Sequence, residues 1–131
     1  MRVTSPQILI TDDDRDMRES LRASFESRGM SSSVAADGYE ALSIVRSRPV
    51  HLILLDLQMP GLTGLDTVRV LRSERAALPW ILVSGAIDDQ ILAEAAALQV
   101  QAVIPKPIRM RDTTSRVLHL LRELYGWEPP L

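Results

Sequence analysis

The sequence has 131 residues, 46% of them hydrophobic, and a formal net charge of −2. This length supports one domain with a sizeable core. The net charge does not favour direct nucleic-acid binding, which needs a clustered basic surface. The absence of cysteine excludes disulfides, thiol catalysis and thiolate metal sites. Because no apolar stretch approaches the roughly 20 residues that span a bilayer and Met1–Gln7 lacks the apolar core of a signal peptide, we expect a soluble, cytoplasmic protein with no membrane segment.

Short apolar runs alternate with amphipathic stretches five times along the chain. Most of the runs are continuously apolar, which is typical of parallel strands covered on both faces. The predicted strands are Gln7–Thr11, Ser32–Ala36, Leu52–Leu55, Trp80–Ser84 and Gln101–Ile104.

Capping residues and apolar stripes predict a helix after each strand. The first helix covers Arg15–Ser27, and Gly29 is placed to end it. Asp37, Thr63 and Asp88 are placed to open the next three helices, and the last runs from about Met110 to Leu124. The apolar positions at helical spacing are Met17, Leu21, Phe25; Ala41, Leu42, Val45; Leu65, Val68, Leu71; Ile91, Leu92, Ala95, Leu98; and Val117, Leu120, Leu121, Leu124.

Strand and helix in regular alternation predict an α/β fold with parallel strands and right-handed crossovers. We place the domain at residues 1–125 and treat residues 126–131 as a C-terminal tail or the start of a linker. The carboxyl ends of parallel strands meet at one edge, where open α/β sheets keep their sites. The polar residues predicted there are Asp12, Asp13, Asp14, Asp56, Ser84 and Lys106.

Each of these residues also has a simpler role by itself. Asp14 is expected to cap the first helix, Ser84 alone suits a turn, and Lys106 alone suits a solvated loop. Their convergence at one edge favours a functional site instead. Carboxylates close together are ligands that suit Mg²⁺. An aspartate can act as a nucleophile, and lysine and hydroxyl groups stabilise a transferring phosphoryl group. The set therefore suits phosphoryl transfer to a carboxylate.

From about Gln7 to Leu124 the chain resembles the receiver domain of two-component response regulators. The resemblance is carried by the stretches Ile8–Asp14, Leu54–Gly61 with Gly64, Leu82–Gly85 and Pro105–Pro107. It implies a flavodoxin-like, doubly wound sheet of five parallel strands in the order 2-1-3-4-5, with five helices.

The resemblance also implies roles for individual residues. Asp56 matches the phosphoacceptor, and Ser84 and Lys106 match the hydroxyl and the lysine that act on the phosphoryl group. The Mg²⁺ ligands implied are Asp12, Asp13, Asp56 and the backbone carbonyl of Gln58. Within the pair Asp12 and Asp13, it is Asp13 that the resemblance implies as the direct ligand. The Lys106–Pro107 bond matches one that is usually cis in the family. No organic cofactor is implied.

The function implied is receipt of a phosphoryl group by Asp56 from a sensor histidine kinase or a phosphotransfer protein. The domain would assist its own phosphorylation and dephosphorylation without being an enzyme in the usual sense. Phosphorylation would then switch a surface for an output domain, a downstream protein or a homodimer.

Three departures from the family pattern bear on this function. Val103 replaces the aromatic residue that works with Ser84 as a switch, so its coupling to output is expected to differ. Gln99-Val100 replaces the usual Gly-Ala before the fifth strand. Ala86 offers no hydrogen bond to an attacking water, so we predict a long-lived phosphoryl group.

Two other functions remain open at this stage. A hydrolase of the haloacid dehalogenase type would use Asp12 and Asp14, which have its spacing, but would leave Asp56 unexplained. A degenerate receiver that serves only as a docking module would fit Val103 but not the intact acidic set.

Overall fold

The computed structural model describes residues 3–75 and 77–130. Within them, five parallel strands form one sheet in the order β2-β1-β3-β4-β5, which confirms the predicted doubly wound topology. The strands are β1 (Gln7–Thr11), β2 (Ser31–Ala35), β3 (Leu52–Asp56), β4 (Trp80–Ser84) and β5 (Ala102–Pro105). β2 begins one residue before the predicted start, and β5 begins one residue after it.

The first four helices begin where the capping residues predict. Asp14 accepts hydrogen bonds from the backbone N–H groups of Asp16 and Met17, and Asp37, Thr63 and Asp88 cap the next three helices in the same way. Gly29, with φ +91°, follows the first helix in the left-handed conformation that glycine favours. The helices are α1 (Arg15–Glu26), α2 (Gly38–Ser47), α3 (Gly64–Glu74), α4 (Asp89–Ala97) and α5 (Met110–Tyr125).

Helices cover both faces of the sheet, because successive residues of the central strands point to opposite sides. In β3, Leu52 and Leu54 pack towards α1 and α5. Ile53 and Leu55 pack towards α2, α3 and α4. This double coverage is the physical reason that these strands are continuously apolar.

Two leucines that we placed on buried helix faces are exposed, so those assignments are wrong. Leu92 is 46% exposed and Leu124 is 48% exposed. Leu92 follows Ile91 by one residue, which turns it about 100° away from the stripe that packs on the sheet. In the last turn of α5, Tyr125 rather than Leu124 faces the domain, and its hydroxyl donates a hydrogen bond to the carbonyl of His51, the residue before β3, at 2.6 Å.

The segment after α5 packs back onto the domain. Gly126 takes the left-handed conformation at φ +65° and turns the chain. The indole of Trp127 is then buried, with 6% exposure, and its Nε1–H donates to the carbonyl of Thr4 at 3.2 Å. The domain boundary at residue 125 stays a prediction, but the residue two positions beyond it belongs to the core on the α1–α5 face.

The turn before β5 has a left-handed backbone conformation at a residue other than glycine. Gln99 has φ +57°, a conformation that is costly for a residue with a Cβ. The guanidinium of Arg72 donates to the carbonyls of Leu98 and Gln99 at 2.7 and 3.0 Å. These charge-assisted hydrogen bonds help to hold the turn. None of the helices in the described residues is long and apolar enough to cross a membrane.

Candidate functional site

The acidic side chains of two neighbouring strands meet at the carboxyl edge of the sheet. β1 and β3 are paired with Thr11 opposite Leu55, so Asp12 and Asp56 leave the sheet side by side. One carboxylate oxygen from each of Asp12, Asp13 and Asp56 lies within 4.8 Å of the others. Asp12 and Asp56 are buried, while Asp13 is exposed.

Asp12 carries the clearest electrostatic effect of this crowding. Its burial raises the pKa of the Asp12 carboxyl, and the charges of Asp56 and Asp13 add to the increase. The backbone N–H of Asp14, at 2.8 Å from Asp12 Oδ1, and the charge of Lys106 oppose it. Apart from this effect of burial, the three carboxylates of the cluster face the single ammonium of Lys106, so negative charge outnumbers positive charge in the site. A divalent cation with a preference for oxygen ligands fits this donor set.

Both oxygens of Asp56 are engaged by donors. Oδ1 accepts the backbone N–H of Gln58 at 3.0 Å, and Oδ2 accepts the ammonium of Lys106 at 2.7 Å. Asp56 is 2% exposed and ends β3, so its position is fixed by the sheet as well as by these bonds. The carboxylate is thereby held in one orientation.

Lys106 reaches the site from the far side of β4. Its backbone N–H donates to the carbonyl of Ser84 at 2.9 Å, and its Nζ lies 4.0 Å from Asp12 Oδ2. Burial alone would lower the pKa of Lys106, but the hydrogen bond to Asp56 and the charges of Asp12 and Asp56 outweigh it and raise that pKa. The group is therefore a cation at neutral pH. The Lys106–Pro107 bond is cis, as the resemblance implies.

Ser84 ends β4 and is buried, with 1% exposure. Its hydroxyl oxygen accepts the backbone N–H of Ala86 at 3.1 Å, so it is engaged within its own loop. The next backbone N–H, that of Gly85, donates to the side-chain Oε1 of Gln58 at 3.3 Å. The loop after β4 is thus tied both to itself and to the loop after β3.

The loop after β3 is folded tightly against its own strand. A Cβ at Gly64 would lie 2.7 Å from Leu57 Cα and 2.9 Å from the carbonyl oxygen of Asp56. Both atoms belong to the backbone and cannot move aside, so this position needs glycine. In the sequence, Gly64 matched the family only as part of a motif; its close contact with the end of β3 gives the physical reason for a glycine there.

Val103 is half-buried beside a surface cavity between β5 and α5. The cavity has a volume of about 490 Å³, and Lys106, Arg109 and Arg116 also line it. A valine fills less of this space than the aromatic side chain usual in the family. This difference in size gives a structural basis for the prediction that Val103 alters the coupling of Ser84 to output, which stays a prediction.

One contact of the site was not identified from the sequence: that between the Gln58 side chain and Gly85, since nothing in the sequence indicates which loop the amide faces. For Lys106, which was identified, the sequence holds a further signal that was not used. It is the only lysine of the chain, and all the other Lys/Arg positions are arginine. This position therefore carries a compact ammonium rather than a planar guanidinium.

The chain is similar to response regulators over most of its length. The family described as the response regulator receiver domain matches residues 8–118. The response regulator MprA of Mycobacterium sp. (strain KMS) is 36% identical over 126 residues, which are 95% of this chain and 54% of that protein. MprA of Mycobacterium bovis (strain BCG / Pasteur 1173P2) is 38% identical over 120 residues, covering 90% and 51%. The chain therefore spans about half the length of these curated relatives.

Solved structures agree with the sequence relatives. A receiver domain protein (CheY-like) from Methanospirillum hungatei JF-1 superposes with a TM-score of 0.87 at 25% identity, covering 91% of this chain and 95% of that one. A response regulator receiver protein from Pseudomonas putida gives a TM-score of 0.82 at 31% identity, covering 92% and 98%. The fold and the order of the elements are thus shared with proteins of this kind.

Proposed function

Since the chain belongs to the family of response regulator receiver domains of two-component systems, we propose that Asp56 accepts a phosphoryl group from a phosphohistidine. The donor is a sensor histidine kinase or a phosphotransfer protein. The observation that carries this proposal is the placement of Asp56 Oδ2 at 2.7 Å from the ammonium of Lys106, within a cluster of three carboxylates.

The acidic cluster is the proposed Mg²⁺ site. Asp12, Asp13 and Asp56 would hold the ion together with the backbone carbonyl of Gln58, and Asp13 is the more direct ligand of the Asp12–Asp13 pair. The oxygen-only donor set and the excess negative charge around Asp12 support this assignment. When bound, Mg²⁺ supplies charge neutralisation for the oxygens of the transferring group.

In the transfer, a carboxylate oxygen of Asp56 attacks the phosphorus. The O–P bond forms as the P–N bond to the donor imidazole breaks, and the electron pair of that bond stays with the imidazole nitrogen. Gln58 N–H holds the attacking carboxylate in place. Lys106, which is already a cation, balances the charge that the phosphoryl oxygens bring. The chain positions and stabilises the reacting group and is not an enzyme in the usual sense, although it assists its own phosphorylation and dephosphorylation.

Ser84 is the proposed switch residue. Its hydroxyl now accepts from Ala86 N–H within the β4–α4 loop. A phosphoryl group on Asp56 offers three strong acceptor oxygens, which favour rotation of the hydroxyl towards them as a donor. Movement of Ser84 would move the β4–α4 loop with it. Val103 stands where the family has the aromatic switch residue, and its smaller side chain would alter the surface less than an aromatic ring does.

The proposed partners follow from the family. They are the phosphohistidine donor, an output domain or downstream protein, and a phosphorylation-dependent second copy of the chain. We also propose that these residues act in the cytoplasm, at no membrane, and that the receiver itself does not contact nucleic acid; the net charge of −2 supports this last point. The haloacid dehalogenase alternative is disfavoured because Asp14, its second acid, is engaged in capping α1.

Binding of beryllofluoride, a stable mimic of a phosphoryl group, tests the proposal. With Mg²⁺ present, we expect NMR shifts centred on Asp56, Ser84 and Lys106, and we expect none when Mg²⁺ is chelated. The Asp56→Asn variant should show no response. Shifts that persist in Asp56→Asn, or a wild-type protein that does not respond, would contradict the proposed function.

A further inference from the structure

Gln58 contacts both Asp56 and the loop after Ser84, the latter through its side chain. Its backbone N–H donates to Asp56 Oδ1 at 3.0 Å. Its side-chain Oε1 accepts from the backbone N–H of Gly85 at 3.3 Å. The amide lies close over the glycine, because a Cβ at Gly85 would be 3.4 Å from Oε1. One residue therefore joins the phosphoacceptor to the β4–α4 loop.

The first two backbone donors after β4 are both occupied by side-chain oxygens. Gly85 N–H is bound to Gln58, and Ala86 N–H is bound to Ser84. In this arrangement the Ser84 oxygen accepts from its own loop, so rotating the Ser84 side chain towards Asp56 breaks the bond from Ala86 N–H and requires a rearrangement of the loop. The bond from Gln58 opposes that rearrangement, since it fixes the residue next to Ser84.

We propose that the side-chain amide of Gln58 is a positioning group that holds the β4–α4 loop in its resting position and releases Gly85 when Asp56 is phosphorylated. The inference rests on the proposed function of Asp56. Incoming phosphoryl oxygens compete for the donors around Asp56, including the N–H of Gln58, and any shift of that residue also moves its side chain. This route from Asp56 to the loop does not involve Val103, where the aromatic switch of the family is missing.

The hydrogen bond between the Gln58 side chain and Gly85 N–H in the resting state can be tested without any phosphoryl mimic. Gln58→Met keeps an unbranched side chain of similar length but removes the acceptor, so the ¹H resonance of the Gly85 amide should move upfield. Gln58→Glu keeps an acceptor at the same reach, so the resonance should stay in its hydrogen-bonded position. Gln90→Met makes the same chemical change on α4, where Gln90 contacts Glu94, and should leave Gly85 unchanged.

The coupling to Asp56 is then measured by titrating beryllofluoride with Mg²⁺ present. Loss of one hydrogen bond from the resting state should make Gln58→Met bind about two- to tenfold more tightly than wild type, the range that the net contribution of one hydrogen bond allows. Gln90→Met should bind like wild type. A purely structural role for Gln58 would not tighten binding.

Two results would overturn the inference. An unchanged Gly85 resonance in Gln58→Met would show that the amide does not hold the loop. A changed resonance with equal or weaker beryllofluoride binding would show that the bond is not coupled to Asp56. A wild-type protein that binds no beryllofluoride contradicts the proposed function, and the inference with it, whatever the Gly85 resonance does.

Discussion

The ammonium of Lys106 lies 2.7 Å from Asp56 Oδ2 and 4.0 Å from Asp12 Oδ2, so a single cation serves two buried carboxylates. This leaves the cluster with more negative than positive charge, and the charge that is missing can be supplied by a divalent ion. The surplus of carboxylates is expected to lower the stability of the folded protein when no divalent ion is bound. The same carboxylates favour the charged, unreactive form of Lys106.

Lys106 can be labelled selectively, because apart from the N-terminus it is the only primary amine of the chain. The hydrogen bond from Lys106 to Asp56 favours the charged ammonium, which does not react with acylating reagents. Asp56→Asn should therefore lower the pKa of Lys106 and increase its acetylation rate severalfold at about pH 9, below the ordinary lysine pKa. Mass spectrometry of the peptide containing Lys106 measures the rate.

Glu123→Gln is the matched control for this labelling. Glu123 lies in the last turn of α5 and pairs with His119, so the change of charge is the same but the site is not touched. Equal labelling of wild type and Asp56→Asn would show that the Lys106–Asp56 contact does not control the lysine.

Asp12→Asn is expected to stabilise the protein when no divalent ion is present. Burial raises the pKa of Asp12, so the folded state binds the proton more tightly than the unfolded state does. The contribution of Asp12 to stability is then present below the unfolded pKa and is lost as pH rises through the folded one. At pH 7 the neutral asparagine should gain roughly 1 kcal/mol, a typical size for one substitution.

Urea denaturation across a range of pH checks this prediction. The stability difference between Asp12→Asn and wild type should shrink as pH falls through the folded pKa of Asp12, because the wild-type carboxyl becomes protonated. Asp13→Asn, at the exposed neighbour, should give a smaller gain. A difference that does not change with pH, or a variant less stable than wild type at neutral pH, would argue against the electrostatic account.

Ala86→Glu should shorten the lifetime of the phosphoryl group. The methyl group of Ala86 is exposed next to Ser84 and offers no hydrogen bond to water, whereas a glutamate can orient an attacking water. Loss of phosphate from wild type and variant, followed by mass after the donor is removed, measures the effect. If the two rates are the same, residue 86 does not limit the attack of water.

Trp127→Ala should destabilise the domain strongly although it lies beyond the predicted boundary. Removing the buried indole leaves a cavity on the α1–α5 face and breaks the hydrogen bond to Thr4, and we expect a loss of roughly 2–4 kcal/mol. Leu124→Ala, which truncates an exposed neighbour, should change the free energy of unfolding by less than about 0.5 kcal/mol. Equal effects of the two substitutions would mean that the segment after α5 is not part of the core.

The sequence was sufficient to predict the fold and the placement of Asp12, Asp56, Ser84 and Lys106 at one edge of the sheet. Each of the four ends a parallel strand or directly follows one, so the topology alone brings them to that edge. The caps at Asp14 and Asp37 could also be predicted, because they depend on only a few neighbouring residues.

Features set by side-chain direction were not predictable in this way. The pattern of α5 favours Leu124 as strongly as Tyr125, whereas in the structure Leu124 is exposed and the half-buried Tyr125 bonds to the carbonyl of His51. The left-handed Gln99 depends on Arg72, which is distant in sequence and supplies the hydrogen bonds to that turn. The contact between Gln58 and Gly85 likewise joins two loops whose approach is set by the packed sheet.

The central claim is that Asp56 is the phosphoacceptor, and mass spectrometry of the protein treated with acetyl phosphate tests it most directly. With Mg²⁺ present, the wild-type chain should gain the mass of one phosphoryl group, and the gain should disappear with chelator and in Asp56→Asn. No gain in wild type, or an equal gain in Asp56→Asn, would contradict the account.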